Sequence, residues 1–221
     1  MKFSTFEKYI FINSEINAVK TFINFSHQNN IEIVLHEETQ NKYKQIENKN
    51  IAKEFPPLLF SIEISSQQIG SLSSLDEINR LTLLDGHHRF EHLSLYKYDL
   101  QVPLVLISND DVNIGSYNSE INVDLEKFEY ILKENNFTIS YTSKYFLTFQ
   151  GKQFSSEGIN NIYDLYDFKR SLISDGTITP IQNDLDQTNI PILDFTPVKL
   201  NEFNKENYLF PPKSTWITPR I

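Results

Sequence analysis

The chain of 221 residues contains no cysteine. That absence removes disulfides, thiolate nucleophiles and cysteine-ligated zinc or iron–sulfur sites together. Basic residues are also short, at 20 against 29 acidic ones, for a net charge of −9. A nucleic-acid binder shows a basic surplus or stripe, and no cluster of lysine and arginine appears here, so DNA is not an expected partner. Long apolar runs are missing as well. Stretches such as residues 57–60 fall far short of the ~20 residues a membrane-spanning helix needs, and no membrane association is expected. The first residues, MKFSTFEKYIF, lack a signal-peptide core with a small-residue cleavage site, so the reading expects a cytoplasmic protein. Glycine numbers only six and histidine five, which makes their placement informative.

What is present is enough apolar residue, 39%, to bury one core with an extension. Residues 6–12 read as a strand, ended by Asn13-Ser14. Ser14 can cap a helix whose Ile16, Val19, Phe22 and Ile23 share a face. Residues 31–35 form a short strand. His36 opens a polar stretch predicted helical to about residue 53, and Pro56-Pro57 breaks it before a buried strand at 58–64. Residues 67–79 are turn-rich. A strand at 80–84, the turn Asp85-Gly86, a helix from 87 to about 98 and a strand at 102–108 follow. That order describes a small α/β unit with its chemistry at the carboxyl end of a strand. The second half predicts a helix at 123–135, a hairpin of 137–141 with 145–149 whose second strand is closed by Phe149-Gln150-Gly151, and a helix at 159–173. It ends in a strand, a short helix after Pro197 and an extended proline-rich tail. No internal repeat or linker is visible. The expected organisation is one compact unit over 1–221, with a core at 1–110 and an α+β extension at 111–221.

Three of the five histidines sit between residues 87 and 92, directly after the Asp85-Gly86 turn. Gly86 can adopt positive φ and admits close approach to the backbone. A helix starting at His87 offers unpaired N–H groups and the positive end of its dipole, a ready anion site. Arg89 in the first turn adds a bidentate clamp for phosphate oxygens. Asp85 can bind Mg2+ or orient a hydroxyl. His87 and His88 lie about 100° apart around the helix, so at most one faces the core. Asp-Gly by itself is a common turn. His88 and His92, with Glu91 beside them, have the i, i+4 spacing of two metal ligands, but no third ligand stands out. Phosphate binding explains the combination best.

Residues 85–91 read D-G-H-H-R-F-E. Strand, heptapeptide and helix together resemble the phosphate-binding signature of the ParB/sulfiredoxin fold. The likeness is to the form D-G-H-H-R-[YF]-E, shared by free serine kinases and a related domain of unknown function. Two further segments are similar to that domain: His36-Glu37-Glu38-Thr39 after an early strand, and Pro211-Pro212-Lys213-Ser214-Thr215 followed by the aromatic Trp216. The motifs run in the family's order and span most of the chain. Sulfiredoxin chemistry needs a cysteine in the turn, which this chain lacks. The second half does not resemble the helix-turn-helix domain of DNA-partition proteins, and the acidic charge disfavours a nuclease.

The resemblance implies an α/β (α+β) fold, a small mixed sheet with helices and an extension that returns the Lys213 segment to the site. It implies a nucleotide-dependent small-molecule kinase that uses ATP or ADP with Mg2+ and phosphorylates a hydroxyl of free serine or a related metabolite. By the same resemblance Glu37 is the base, with Glu38 in reserve. Asp85 and His87 serve catalysis, Asp85 also as the metal ligand. Gly86, His87, His88 and Arg89 hold the nucleotide phosphates, and His36, Glu38, Lys213, Ser214 and Thr215 bind substrate. Blander readings stand beside these roles. Glu37 and Glu38 suit a helix N-terminus, His36 suits a cap, and Lys213–Thr215 belongs equally to an ordered tail with Phe210 and Trp216 packed on the core. The alternative function is a non-catalytic nucleotide- or metabolite-binding regulator on the same fold. Oligomeric state is left open.

Overall fold

The computed structural model describes residues 2–6, 9–13, 19–39, 56–72, 74–95, 102–181, 190–204 and 208–219. The chain divides into two compact units, Met1–Asn113 with Ile217–Ile221, and Ile114–Trp216.

The first unit is built on β1 (Lys2–Phe6), β2 (Tyr9–Asn13), α1 (Val19–Gln28), β3 (Glu32–Leu35), β4 (Leu58–Ile62), α2 (Ser66–Ile69), β5 (Arg80–Asp85), α3 (His87–Leu95) and β6 (Leu104–Ser108). Its six-stranded sheet has the order β1-β2-β6-β4-β5-β3. The pairings β3–β5 and β4–β6 are parallel; the others are antiparallel. Strands β4 and β6 sit in the middle and are buried at every position, so apart from Ser61 and Ser108 they are apolar throughout and do not alternate. Phe60 on β4 meets Phe22 of α1 at 5.4 Å and Phe90 of α3 at 6.0 Å between ring centroids. That aromatic row seats α3, and with it the start of the Asp-Gly-His-His-Arg helix, on the sheet.

Two expectations need correction here. The stretch 6–12, read as one strand, is divided between two strands that pair antiparallel from Phe6↔Tyr9; Glu7-Lys8 carries none of the glycine, proline or asparagine signals that mark a reversal. His36 does not open a helix. Residues 36–39 are non-helical, with a single bridge at Glu37, and the His36 ring is held at the Leu83 carbonyl. The remainder of that predicted helix, Ser14, Ile16 and the last turn of the predicted 87–98 helix lie outside the described residues.

The second unit carries β8 (Ser119–Ile121), α4 (Leu125–Glu134), β9 (Thr138–Ile139), β10 (Leu147–Phe149), β11 (Lys152–Ser155), α5 (Ile162–Ser174), β12 (Ile178–Pro180) and β13 (Ile192–Phe195). Its sheet, of order β12-β8-β13-β10-β11-β9, is antiparallel throughout. A separate two-stranded sheet joins β7 (Asn113–Ser116) to β14 (Thr215–Thr218). The predicted hairpin of 137–141 with 145–149 is not formed. Strands β9 and β10 both pair with β11, and the true hairpin joins β10 to β11. Gln150 and Gly151 have φ of 50° and 71°, the left-handed pair that a two-residue hairpin loop demands. The Gln-Gly step is therefore the turn, not the end of a strand. On α5, Asn161 caps the helix by accepting the Asp164 N–H.

Candidate active site

Leu35 of β3 lies opposite Leu83 of β5 in the parallel pair. The chain therefore leaves β3 at His36 and leaves β5 at Asp85 on the same edge of the sheet. The antiparallel β4 begins there too, with Leu59 opposite Asp85. Two motifs about fifty residues apart are brought together by strand register alone.

Gly86 follows β5 with φ of +93°, a conformation that strains any residue with a Cβ. Space forbids a side chain as well: a Cβ would stand 2.5 Å from Leu58 Cδ2 and 2.9 Å from an Arg89 nitrogen. Gly86 O accepts the Phe90 N–H at 2.8 Å, so α3 is capped at Gly86 and the N–H groups of residues 87–89 make no bonds within the helix. Asp85 Oδ1 accepts the Gly86 N–H at 2.9 Å, and its other oxygen stands 3.6 Å from the Arg89 guanidinium. Arg89 also donates to Pro57 O at 2.9 Å. Its Nε is buried with no hydrogen-bond partner among the described residues.

His36 and His87 are buried, 2% and 9% exposed. His36 Nδ1 and His87 Nε2 each stand 2.8 Å from Leu83 O and 2.9 Å from each other, and the rings meet edge to face. A carbonyl has two lone pairs and can accept from both rings. We therefore assign both protons to Leu83 O, which makes each ring a neutral tautomer. Burial holds His36 below the ordinary imidazole range against the pull of Glu37, the Leu83 carbonyl and Asp85. Burial and then the His36 ring push His87 well below that range, with His88 and Arg89 adding to the effect.

Glu37 and Glu38 are half-buried. Thr39 Oγ1 donates to Glu91 Oε2, a second tie between the early motif and the helix. His87 faces the core and His88 is half-buried. Glu91 turns to Thr39, away from a metal role beside His88 and His92, and among the described residues no group of three or more histidine, aspartate or glutamate side chains is placed to hold a metal ion. Mg2+ needs less: it is held by one or two carboxylates plus substrate phosphates, and half-exposed Asp85 suits that mode.

Lys213, Ser214 and Thr215 belong to the second unit. Ser214 N bonds Pro211 O at 3.2 Å, closing a turn in which Lys213 has φ of 58°. Ser214 and Thr215 are buried, and Lys213 is half-buried. Phe210 is buried among Tyr166, Phe203 and Tyr208. Trp216 is 37% exposed, with its indole laid where a Cβ of Gly115 would be. Two features of the structure have no counterpart among the motifs of the sequence. The Thr39–Glu91 bond leaves no local signal. Lys169 is fully buried among Ile162, Leu165, Tyr166 and Leu172 on α5; a lysine in the apolar row of an amphipathic helix was the sign that could have found it.

No family model matches the sequence, and no curated protein matches it. Solved structures do. SbnI with C-terminal truncation from Staphylococcus aureus is similar at TM-score 0.62 and 14% identity, over 97% of this chain and 85% of that one. Free serine kinase in complex with AMP is similar at TM-score 0.57 and 16% identity, over 97% and 88%. A mutant of free serine kinase in complex with ADP gives 0.55 and 15%, over 95% and 87%. At such identities the likeness speaks of fold, and this chain shares the α+β fold of free serine kinase and SbnI.

Proposed function

We propose that the protein is a nucleotide-dependent small-molecule kinase, transferring a phosphoryl group to a hydroxyl of free serine or a related metabolite. One observation carries the reading: an early carboxylate, Glu37, and a glycine-capped helix N-terminus emerge on the same sheet edge. The chain also shares its fold with a kinase solved with AMP and ADP. Glu37 accepts the proton of the acceptor hydroxyl as its oxygen bonds to the terminal phosphorus of ATP or ADP. The bond to the bridging oxygen breaks, and the shortened nucleotide leaves. The N–H groups of residues 87–89 and the helix dipole take up phosphate charge. The unpartnered Arg89 Nε–H supplies a further donor, and the guanidinium exchanges Pro57 O for phosphate oxygens. Asp85 holds Mg2+, which neutralises phosphate charge when bound. His36 and His87 position the strand ends against the helix through Leu83 O. Lys213, Ser214 and Thr215 bind the acceptor, with Glu38 and His36 beside the base.

The second reading is a non-catalytic nucleotide- or metabolite-binding regulator on the same fold, supported by the glycine-capped start of α3, which offers its N–H groups to phosphate whether or not Glu37 acts as a base. Purified protein with ATP or ADP, Mg2+ and a panel of hydroxyl amino acids separates the two. The kinase reading expects turnover, and Glu37→Gln lowering kcat by roughly 10²–10⁴-fold with nucleotide affinity retained. Nucleotide binding with no transfer to any acceptor assigns the regulator instead.

A further inference from the structure

The Lys169 side chain is fully buried. Its Nζ donates to Tyr117 O at 2.9 Å, Ser214 O at 3.3 Å and Ser116 Oγ at 3.3 Å. It also lies over the rings of Phe195 and Tyr166, at 4.6 and 5.2 Å. Burying an ammonium is costly even when every proton is bonded, and an apolar side chain of like volume usually serves stability as well or better. The ammonium acts electrostatically on Asp194, and its three hydrogen bonds do what an apolar side chain could not. They gather two segments distant in sequence, residues 116–117 and residue 214, onto α5. Ser214 O is held twice, by Lys169 and by the Tyr117 N–H at 3.0 Å.

The residue just before that carbonyl is the strained one. Lys213, at φ of 58°, occupies the left-handed region that ordinarily selects glycine. Such a conformation persists only where its surroundings over-determine it. Pro211 and Pro212 restrict the approach to the turn, and the double hold on Ser214 O fixes its exit.

We propose that Lys169 is a positioning residue: its buried ammonium grips the Ser214 carbonyl and so keeps the 211–214 turn in the shape that presents the Lys213 side chain to an anionic group of the acceptor, its carboxylate. This rests on the reading that the Lys213 segment binds the acceptor. The chain's sole tryptophan, Trp216, lies two residues beyond the gripped carbonyl and reports on the segment without any assay of activity.

The test is Lys169→Met in the full chain, with Lys213→Ala and the double variant. In a folded Lys169→Met, acrylamide quenching of Trp216 should rise and its emission shift. The acceptor KM should rise roughly tenfold or more with nucleotide affinity unchanged, and the double variant should be no worse than Lys213→Ala alone. Unchanged Trp216 fluorescence and KM, or strictly additive effects, overturn the proposal. Hydrogen exchange on the unaltered chain guards against a variant that does not fold: the Tyr117 amide should be strongly protected, and rapid exchange there also overturns it. If the unaltered chain phosphorylates nothing, the kinase reading falls alone, while fluorescence and exchange still decide whether Lys169 holds the segment.

Discussion

Thr39 and Glu91, 52 residues apart, are joined side chain to side chain: the threonine hydroxyl donates to the glutamate carboxylate. Together with the Leu83 carbonyl that takes both the His36 and the His87 ring, it fastens the segment after β3 to two turns of α3. Glu37 lies between the two ties, so its placement depends on both.

Thr39→Val removes the hydroxyl and leaves a half-buried carboxylate short of a donor. The expected loss is about 1–3 kcal/mol, seen as a Tm lower by several degrees, since about 1 kcal/mol moves a domain of this size by roughly 2–4 °C. Glu91→Gln keeps an acceptor oxygen and should cost less. Thermal unfolding that leaves Thr39→Val unchanged would remove this bond from the account of how Glu37 is placed.

Gly86→Ala meets two obstacles, the positive φ and the Leu58 methyl 2.5 Å from the new Cβ. Backbone strain and overpacking together should cost roughly 2–4 kcal/mol. Nucleotide binding should weaken with stability, because the same residue caps α3. Chemical denaturation of the alanine variant, with nucleotide titration under native conditions, measures both. A variant as stable as the original contradicts the geometry of this turn.

The histidine pair predicts how stability depends on pH. Burial lowers the folded-state pKa of both rings from an ordinary 6.5. Below that value the unfolded chain takes up protons that the folded chain resists. The stabilisation is therefore complete above about pH 6.5 and is lost progressively as pH falls toward the depressed folded values. Denaturant midpoints between pH 8 and 5 should show a downward slope that flattens in His87→Gln. A slope equal to that of the unaltered protein would mean that His87 titrates normally.

Much of this architecture was legible locally. The helix after Asp85-Gly86 announces itself by glycine, charge and periodicity, and the central strands β4 and β6 by apolar runs that do not alternate. Errors fell where local signals are silent or shared. Glu7-Lys8 carries no turn chemistry, so two strands read as one. Gln150-Gly151 reads as a strand end because positive φ at glutamine is invisible in a letter code. His36 looked like the start of a helix because its polar sequel resembles one; the carbonyl that holds its ring belongs to Leu83, far along the chain.

Composition and motif alone determined that this protein works without thiols, that its fold mixes helices with sheets, and that a glycine turn opening a helix follows β5. Which residues meet was settled only in three dimensions. The parallel register of β3 on β5 sets His36 and Glu37 beside the turn, one backbone carbonyl orients two imidazoles, and a buried lysine holds a strained turn nearly fifty residues away in sequence. Each of these depends on an acceptor or a neighbour supplied by a distant part of the chain, and a local pattern carries no information about it.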